Sequence, residues 1–141
     1  MKVSQIGSDI GSFDPFNIAD FLDITIEFVD DLPENHLGLS IRPLDTIFIS
    51  ADLFDEPMRY FICAHELTHY LEHEDMQPYY NSSNSNKNKT EYHANRSAVG
   101  LLCRYYFDSF QDIRISVQMI LDYFGIPQDL FDLVSEEMKT L

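Results

Sequence analysis

The chain has 141 residues, about the size of one ordinary domain, and its 45% apolar and 13% aromatic content is enough for a folded core. Nine lysines and arginines against 24 aspartates and glutamates give a formal net charge of -15, which repels nucleic-acid phosphates and anionic membrane surfaces. The same charge attracts a basic protein, although from charge alone the favoured interpretation is that it only keeps the protein in solution. No apolar stretch is long enough for a signal peptide or a membrane span, and the isolated Cys63 and Cys103 fit reduced core thiols, so we expect a cytoplasmic protein.

The first part of the chain predicts one helix followed by a small sheet. Asp14 as the cap and Pro15 in the first turn open a helix that reaches about Leu22. Three strand candidates follow, recognised by alternating apolar residues or a β-prone run, over 24–28, 37–41 and Thr46–Ser50. Because proline-containing turns separate these candidates, we expect a mostly antiparallel three-stranded sheet.

The remainder of the chain predicts helices. The segments are a helix from Asp55 to about Glu74, a loop over 77–89, a helix from Thr90 to about Phe107, and shorter helices over 113–124 and 128–139. Asp55 and Thr90 are the expected caps, and Gly125-Ile126-Pro127 is a helix stop. This order of elements indicates an α+β fold, with the helices packed against the sheet in a single domain over 1–141.

The pattern His65-Glu66-Leu67-Thr68-His69 carries the strongest chemical signal. Histidines four residues apart on a helix share one face, so two imidazoles can reach the same metal ion. In the His-Glu-x-x-His pattern of zinc hydrolases, the glutamate is the general base and not a ligand. The alternative is a helix with two surface histidines. The apolar neighbours Phe61 and Leu71 argue against it, because they give this segment a side that packs on the sheet.

A catalytic zinc ion needs a third protein ligand and an open position. His73 lies eight residues beyond His65, about 12 Å along a helix axis, which is too far for a shared ion, so it is expected to lie exposed or behind a ligand. Glu91 and His93 both lie at the start of the next predicted helix, and chemistry alone leaves both as alternatives for the third ligand.

The segments His65-Glu66-Leu67-Thr68-His69-Tyr70-Leu71-Glu72-His73 and Glu91-Tyr92-His93-Ala94-Asn95 together resemble the ImmA/IrrE metallopeptidases. The resemblance covers about 14–108 and implies a zincin-like fold that binds Zn2+ through His65, His69 and Glu91, with Glu66 as the base. The proline that usually ends the second helix of this family has no counterpart after Leu102, so we expect that helix to run on toward Phe107.

The same resemblance implies a function: a regulatory zinc endopeptidase that cleaves a basic helix-turn-helix repressor of a phage or mobile element. Tyr70, Tyr80 and Tyr92 are candidates for stabilising the oxyanion. The strand Thr46–Ser50 is a candidate edge that pairs with an extended substrate. The alternative function is a non-catalytic, metal-stabilised antirepressor that sequesters the repressor through its acidic surface.

Overall fold

A computed structural model describes residues 2–73, 84–111 and 114–141. The helices are α1 (Val3–Ile10), α2 (Pro15–Phe21), α3 (Met58–Glu72), α4 (Asn84–Phe110), α5 (Val117–Phe124) and α6 (Phe131–Met138), and the strands are β1 (Thr25–Val29), β2 (Gly38–Ile41) and β3 (Thr46–Ser50). The α+β class is therefore confirmed, with helices on a three-stranded sheet. No helix within the described ranges is long and apolar enough to cross a membrane.

The N-terminal region contains one helix that the sequence did not predict and one that it did. Helix α1 was missed because its polar residues hide a short apolar face, of which Val3 and Ile6 are buried. Helix α2 is confirmed, and the Asp14 carboxylate accepts a hydrogen bond from the backbone N–H of Phe16. Both helices contribute to one buried cluster with the sheet and α3.

The sheet has the order β1-β3-β2 and is mixed rather than mostly antiparallel. Strand β2 pairs with β3 in antiparallel register, whereas β1 pairs with β3 in parallel, with Ile26 opposite Ile47. The chain after β1 passes to the far side of the sheet before it forms β2, so β3 fills the gap between them. Because β3 is the central strand, the prediction that Thr46–Ser50 forms a free edge is wrong.

Two long helices pack on each other and carry the candidate site. Helix α3 begins at Met58 with no side-chain cap, so Asp55 is not the cap, and eight successive residues from Phe61 to Thr68 are buried. Helix α4 begins at Asn84, so Thr90 is not its cap and 84–89 is not a loop, while 77–83 lies outside the described residues. Asparagine and serine are poor helix formers, but extending a helix that already exists adds a hydrogen bond per residue without a new nucleus.

The C-terminal end of α4 and the following helices agree with the sequence in outline. Helix α4 continues to Phe110, as the missing proline predicted. Gly125 ends α5 in the left-handed conformation, and a Cβ there would lie 2.9 Å from the backbone nitrogen of Met58. The end of α5 therefore sits directly against the start of α3. Cys63 and Cys103 are buried free cysteines, as expected.

Candidate metal centre

Helix α3 brings the side chains of His65, Glu66 and His69 close together. The Nε2 atoms of the two histidines lie 3.1 Å apart, and the ligand atoms of the three residues lie within 4.8 Å of one another. His65 and Glu66 are each only 9% exposed. The helix spacing that the sequence predicted therefore produces a His-Glu-His group that can hold a metal ion.

Helix α4 brings Glu91 to this group. Its Oε1 atom lies 2.9 Å from Nε2 of His69, and its Oε2 atom lies 3.2 Å from Nε2 of His65. Ligands on one tetrahedral zinc ion are about 3.3 Å apart, given bonds of about 2.0 to 2.1 Å. Two imidazoles and a carboxylate are the protein donor set of a catalytic zinc site, so these residues fit the ion that the motif implies.

The electrostatics show how tightly the carboxylate and the imidazoles are coupled. The hydrogen bonds from His65 and His69 hold the pKa of the Glu91 carboxyl far below its usual value. Burial lowers the pKa of His65, but the hydrogen bond to Glu91 and the charge of Glu66 outweigh it, so the net pKa is raised. A side-chain hydrogen bond with Asn95, one turn after Glu91, acts in the same direction. Asn95 belongs to the predicted motif, but no role for it was predicted from the sequence.

Strand β2 lies directly over Glu66. Burial raises the pKa of the Glu66 carboxyl, whereas the nearby His65 and a hydrogen bond with the Ser40 side chain act against that rise. A Cβ added at Gly38 would lie 2.6 Å from Cγ2 of Ile62 and 2.8 Å from Cγ of Glu66. Sequence reasoning missed Gly38 and Ser40, although a glycine within a strand is a known sign of a close backbone approach.

His73 and His93 lie behind His69 rather than at the point where Glu91 meets the two Nε2 atoms. The Nδ1 atoms of His69 and His73 are 2.8 Å apart, and Nε2 of His73 lies 3.0 Å from Nδ1 of His93. Burial, followed by the neighbouring His69 and His93, lowers the pKa of His73 to about 4. Of the two residues left open for the third ligand, the structure brings Glu91 and not His93 to both Nε2 atoms.

The structure describes two of the three tyrosine candidates for the oxyanion, Tyr70 and Tyr92. The Tyr70 hydroxyl donates a hydrogen bond to Oδ1 of Asp45 at 2.5 Å, and its ring packs under the guanidinium of Arg42. Tyr70 thus ties α3 to the connection between β2 and β3. Tyr92 is 55% exposed on α4, and Tyr80 lies outside the described residues.

Comparison with known proteins identifies the family. The model of the peptidase M78 family, described as the IrrE N-terminal-like domain, matches residues 19–106, which is more than half of the chain. Comparisons with curated proteins and with solved structures gave no significant match. The matched region includes the sheet, α3 and the Glu91 segment of α4, and it confirms the resemblance drawn from the two motifs. The chain therefore belongs to the IrrE N-terminal-like family of peptidases.

Proposed function

We propose that this protein is a zinc-dependent endopeptidase in which His65, His69 and Glu91 bind the metal and Glu66 is the general base. The convergence of the Glu91 carboxylate on both Nε2 atoms, at 2.9 and 3.2 Å, is the observation that carries this proposal. The nearby Glu66 supports a catalytic site because a closed structural zinc site needs four ligands and no base.

The chemistry divides between the ion and the buried glutamate. A zinc ion held by these ligands supplies Lewis acidity for the scissile carbonyl and for the attacking water. Glu66 accepts the proton of that water and returns it to the leaving amine. Its carboxylate lies 4.0 Å from Nε2 of His65, and its burial raises its proton affinity toward that needed for transfer near neutral pH. The hydrogen bond with Ser40 fixes the orientation of this carboxylate.

Substrate binding is assigned to the edge of β2 instead of β3. Strand β2 ends the sheet on the side of α3, and Gly38 contacts Glu66. A substrate segment that adds to this edge as another strand receives main-chain hydrogen bonds and passes close to the general base. The absence of a side chain at Gly38 allows β2, and with it this edge, to lie close to Glu66.

The substrate class follows from charge and from the family resemblance. The formal net charge of -15 favours a basic protein and speeds its encounter with the enzyme. A helix-turn-helix repressor of a phage or mobile element has this chemistry, because its DNA-binding surface is basic. We place the reaction in the cytoplasm, where such a repressor acts.

A cleavage assay with zinc-loaded protein and a basic repressor encoded beside its gene tests the proposal. The wild type should produce discrete fragments, and Glu66→Gln should bind zinc but leave the repressor intact. Glu27→Gln is the matched control, because Glu27 is exposed on β1, a strand that β3 separates from β2. Equal cleavage by wild type and Glu66→Gln would disprove the role of Glu66. An intact repressor held in a tight complex with zinc-loaded wild type would support the antirepressor function instead.

A further inference from the structure

Three imidazoles form a continuous chain behind the candidate metal centre. Nδ1 of His69 faces Nδ1 of His73 at 2.8 Å, and Nε2 of His73 faces Nδ1 of His93 at 3.0 Å. Both distances are those of hydrogen bonds between nitrogens. Each contact therefore requires one nitrogen that carries a proton and one that offers a lone pair.

Metal binding fixes the direction of every bond in this chain. A neutral imidazole has one N–H and one lone pair, and a metal ligand must present its lone pair to the ion. Nε2 of His69 is the nitrogen that points to the other candidate ligands, so it is the one that presents its lone pair to the ion. With the ion bound, the proton of His69 therefore lies on Nδ1 and is donated to His73. His73 must accept at Nδ1, so its proton lies on Nε2 and is donated to His93. By the same argument, the proton of His93 lies on Nε2.

The series of hydrogen-bonded imidazoles ends at His93, near the carboxylate of Glu72. Nε2 of His93 lies 3.9 Å from Oε1 of Glu72, a distance for electrostatic attraction and not for a direct hydrogen bond. The Glu72 side chain is 16% exposed, and its Oε2 atom has no hydrogen-bond partner among the described residues. A negative charge at this end favours an N–H that points toward it, which agrees with the direction set at the metal end.

We propose that His73 and His93 are positioning residues that hold His69 as an Nε2 ligand, through a one-way chain from His69 to His73 to His93 and toward Glu72. This inference rests on the proposed metal site and adds to it. Outer partners of this kind set the tautomer, the ring orientation and the basicity of a metal-binding histidine. No protein carboxylate contacts Nδ1 of His69 directly among the described residues, so His73 takes that place.

These proton positions also exclude a second ion between His73 and His93. An ion between Nε2 of His73 and Nδ1 of His93 would take the lone pair of His73 Nε2 and move its proton to Nδ1. That proton would then meet the Nδ1 proton of His69 across 2.8 Å. Two N–H groups cannot share this contact, so an occupied first site excludes a zinc ion between His73 and His93.

Long-range 1H–15N NMR of the zinc-loaded wild type tests the chain directly, without any cleavage assay. We expect His69 with its proton on Nδ1, and His73 and His93 each with a proton on Nε2 only. His73 or His93 protonated on Nδ1, or a zinc ion bound by His73 and His93, would overturn the proposal. A wild type that binds no zinc would overturn the proposed function as well, whereas zinc binding with the other tautomer would overturn this inference alone.

A matched pair of variants adds an affinity measurement. The amide oxygen of His73→Asn occupies about the place of Nδ1 and can accept the His69 proton, whereas His73→Leu has the same branching and no acceptor. In chelator competition, we expect His73→Leu to weaken zinc binding about 10- to 100-fold and His73→Asn to restore most of it. His36→Leu is the control, because His36 is exposed and contacts the backbone oxygen of Glu34 instead of the three hydrogen-bonded imidazoles. Equal losses in the Asn and Leu variants would refute the accepting role of His73.

Discussion

Replacing Gly38 by alanine is expected to slow peptide cleavage without removing zinc. The new methyl group would lie 2.6 Å from Cγ2 of Ile62 and 2.8 Å from Cγ of Glu66. Because carbon atoms in contact lie about 3.5 to 4.0 Å apart, β2 or Glu66 must move by about 1 Å. A displacement of that size at a reacting group costs about 100-fold in rate, and the overpacking costs about 1 to 3 kcal/mol of stability.

Three measurements separate these effects. Cleavage kinetics should show kcat/KM lowered about 100-fold. Zinc titration should stay close to wild type, because the atoms nearest to the new methyl group belong to Ile62 and Glu66 and not to a proposed ligand. Thermal unfolding reports the overpacking. Gly100→Ala is the matched control, since its methyl group would approach only the flexible end of Glu137, at 3.2 Å. Wild-type kcat/KM in Gly38→Ala would refute the claim that β2 fixes Glu66.

The other predictions concern the ligands, the pH dependence and Tyr70. Glu91→Ala should lose most of its zinc on dialysis while His93→Ala retains it, as measured by metal analysis; the reverse would make His93 the third ligand. In the metal-free protein, the lowered pKa of Glu91 means that its carboxylate stabilises the folded state fully above pH 4.5. The raised pKa of His65 means that its protonated ring stabilises the folded state fully below pH 6.5. The free energy of unfolding that depends on this pair should therefore be largest between those values in denaturant titrations, and Glu91→Gln should remove that maximum. Tyr70→Phe should lower the stability by about 1 kcal/mol and leave kcat unchanged; a large fall in kcat would restore Tyr70 as an oxyanion donor.

The features that the sequence predicted are those encoded locally. The spacing of His65 and His69, the cap at Asp14 and the stop at Gly125 each depend on a few neighbouring residues, and the structure contains all three. The order of the strands depends on distant pairing, so the central place of Thr46–Ser50 was not predictable from its own residues. The choice between Glu91 and His93 likewise depends on how α4 packs on α3.

Residues that support the site without binding the metal were the hardest to predict. Ser40 and Gly38 act on Glu66 across the gap between strand and helix, and neither belongs to a motif that marks this contact. For His73, the rise of the helix predicts a position too far from His65 for a shared ion. It did not reveal the contact with the opposite nitrogen of His69, because a helix repeat gives positions along an axis and not the direction of a side chain.

The contact between Gly125 and Met58 joins the matched region to helices that lie beyond its end at residue 106. Helices α5 and α6 lie outside the matched region 19–106, yet Phe124 and Val134 belong to the same buried cluster as Ile62 of α3. A polypeptide cut at residue 106 would leave the apolar sides of α3 and α4 uncovered. The segment that the family model matches is thus smaller than the segment that shares the buried core, so engineering of this protein has to keep the last two helices.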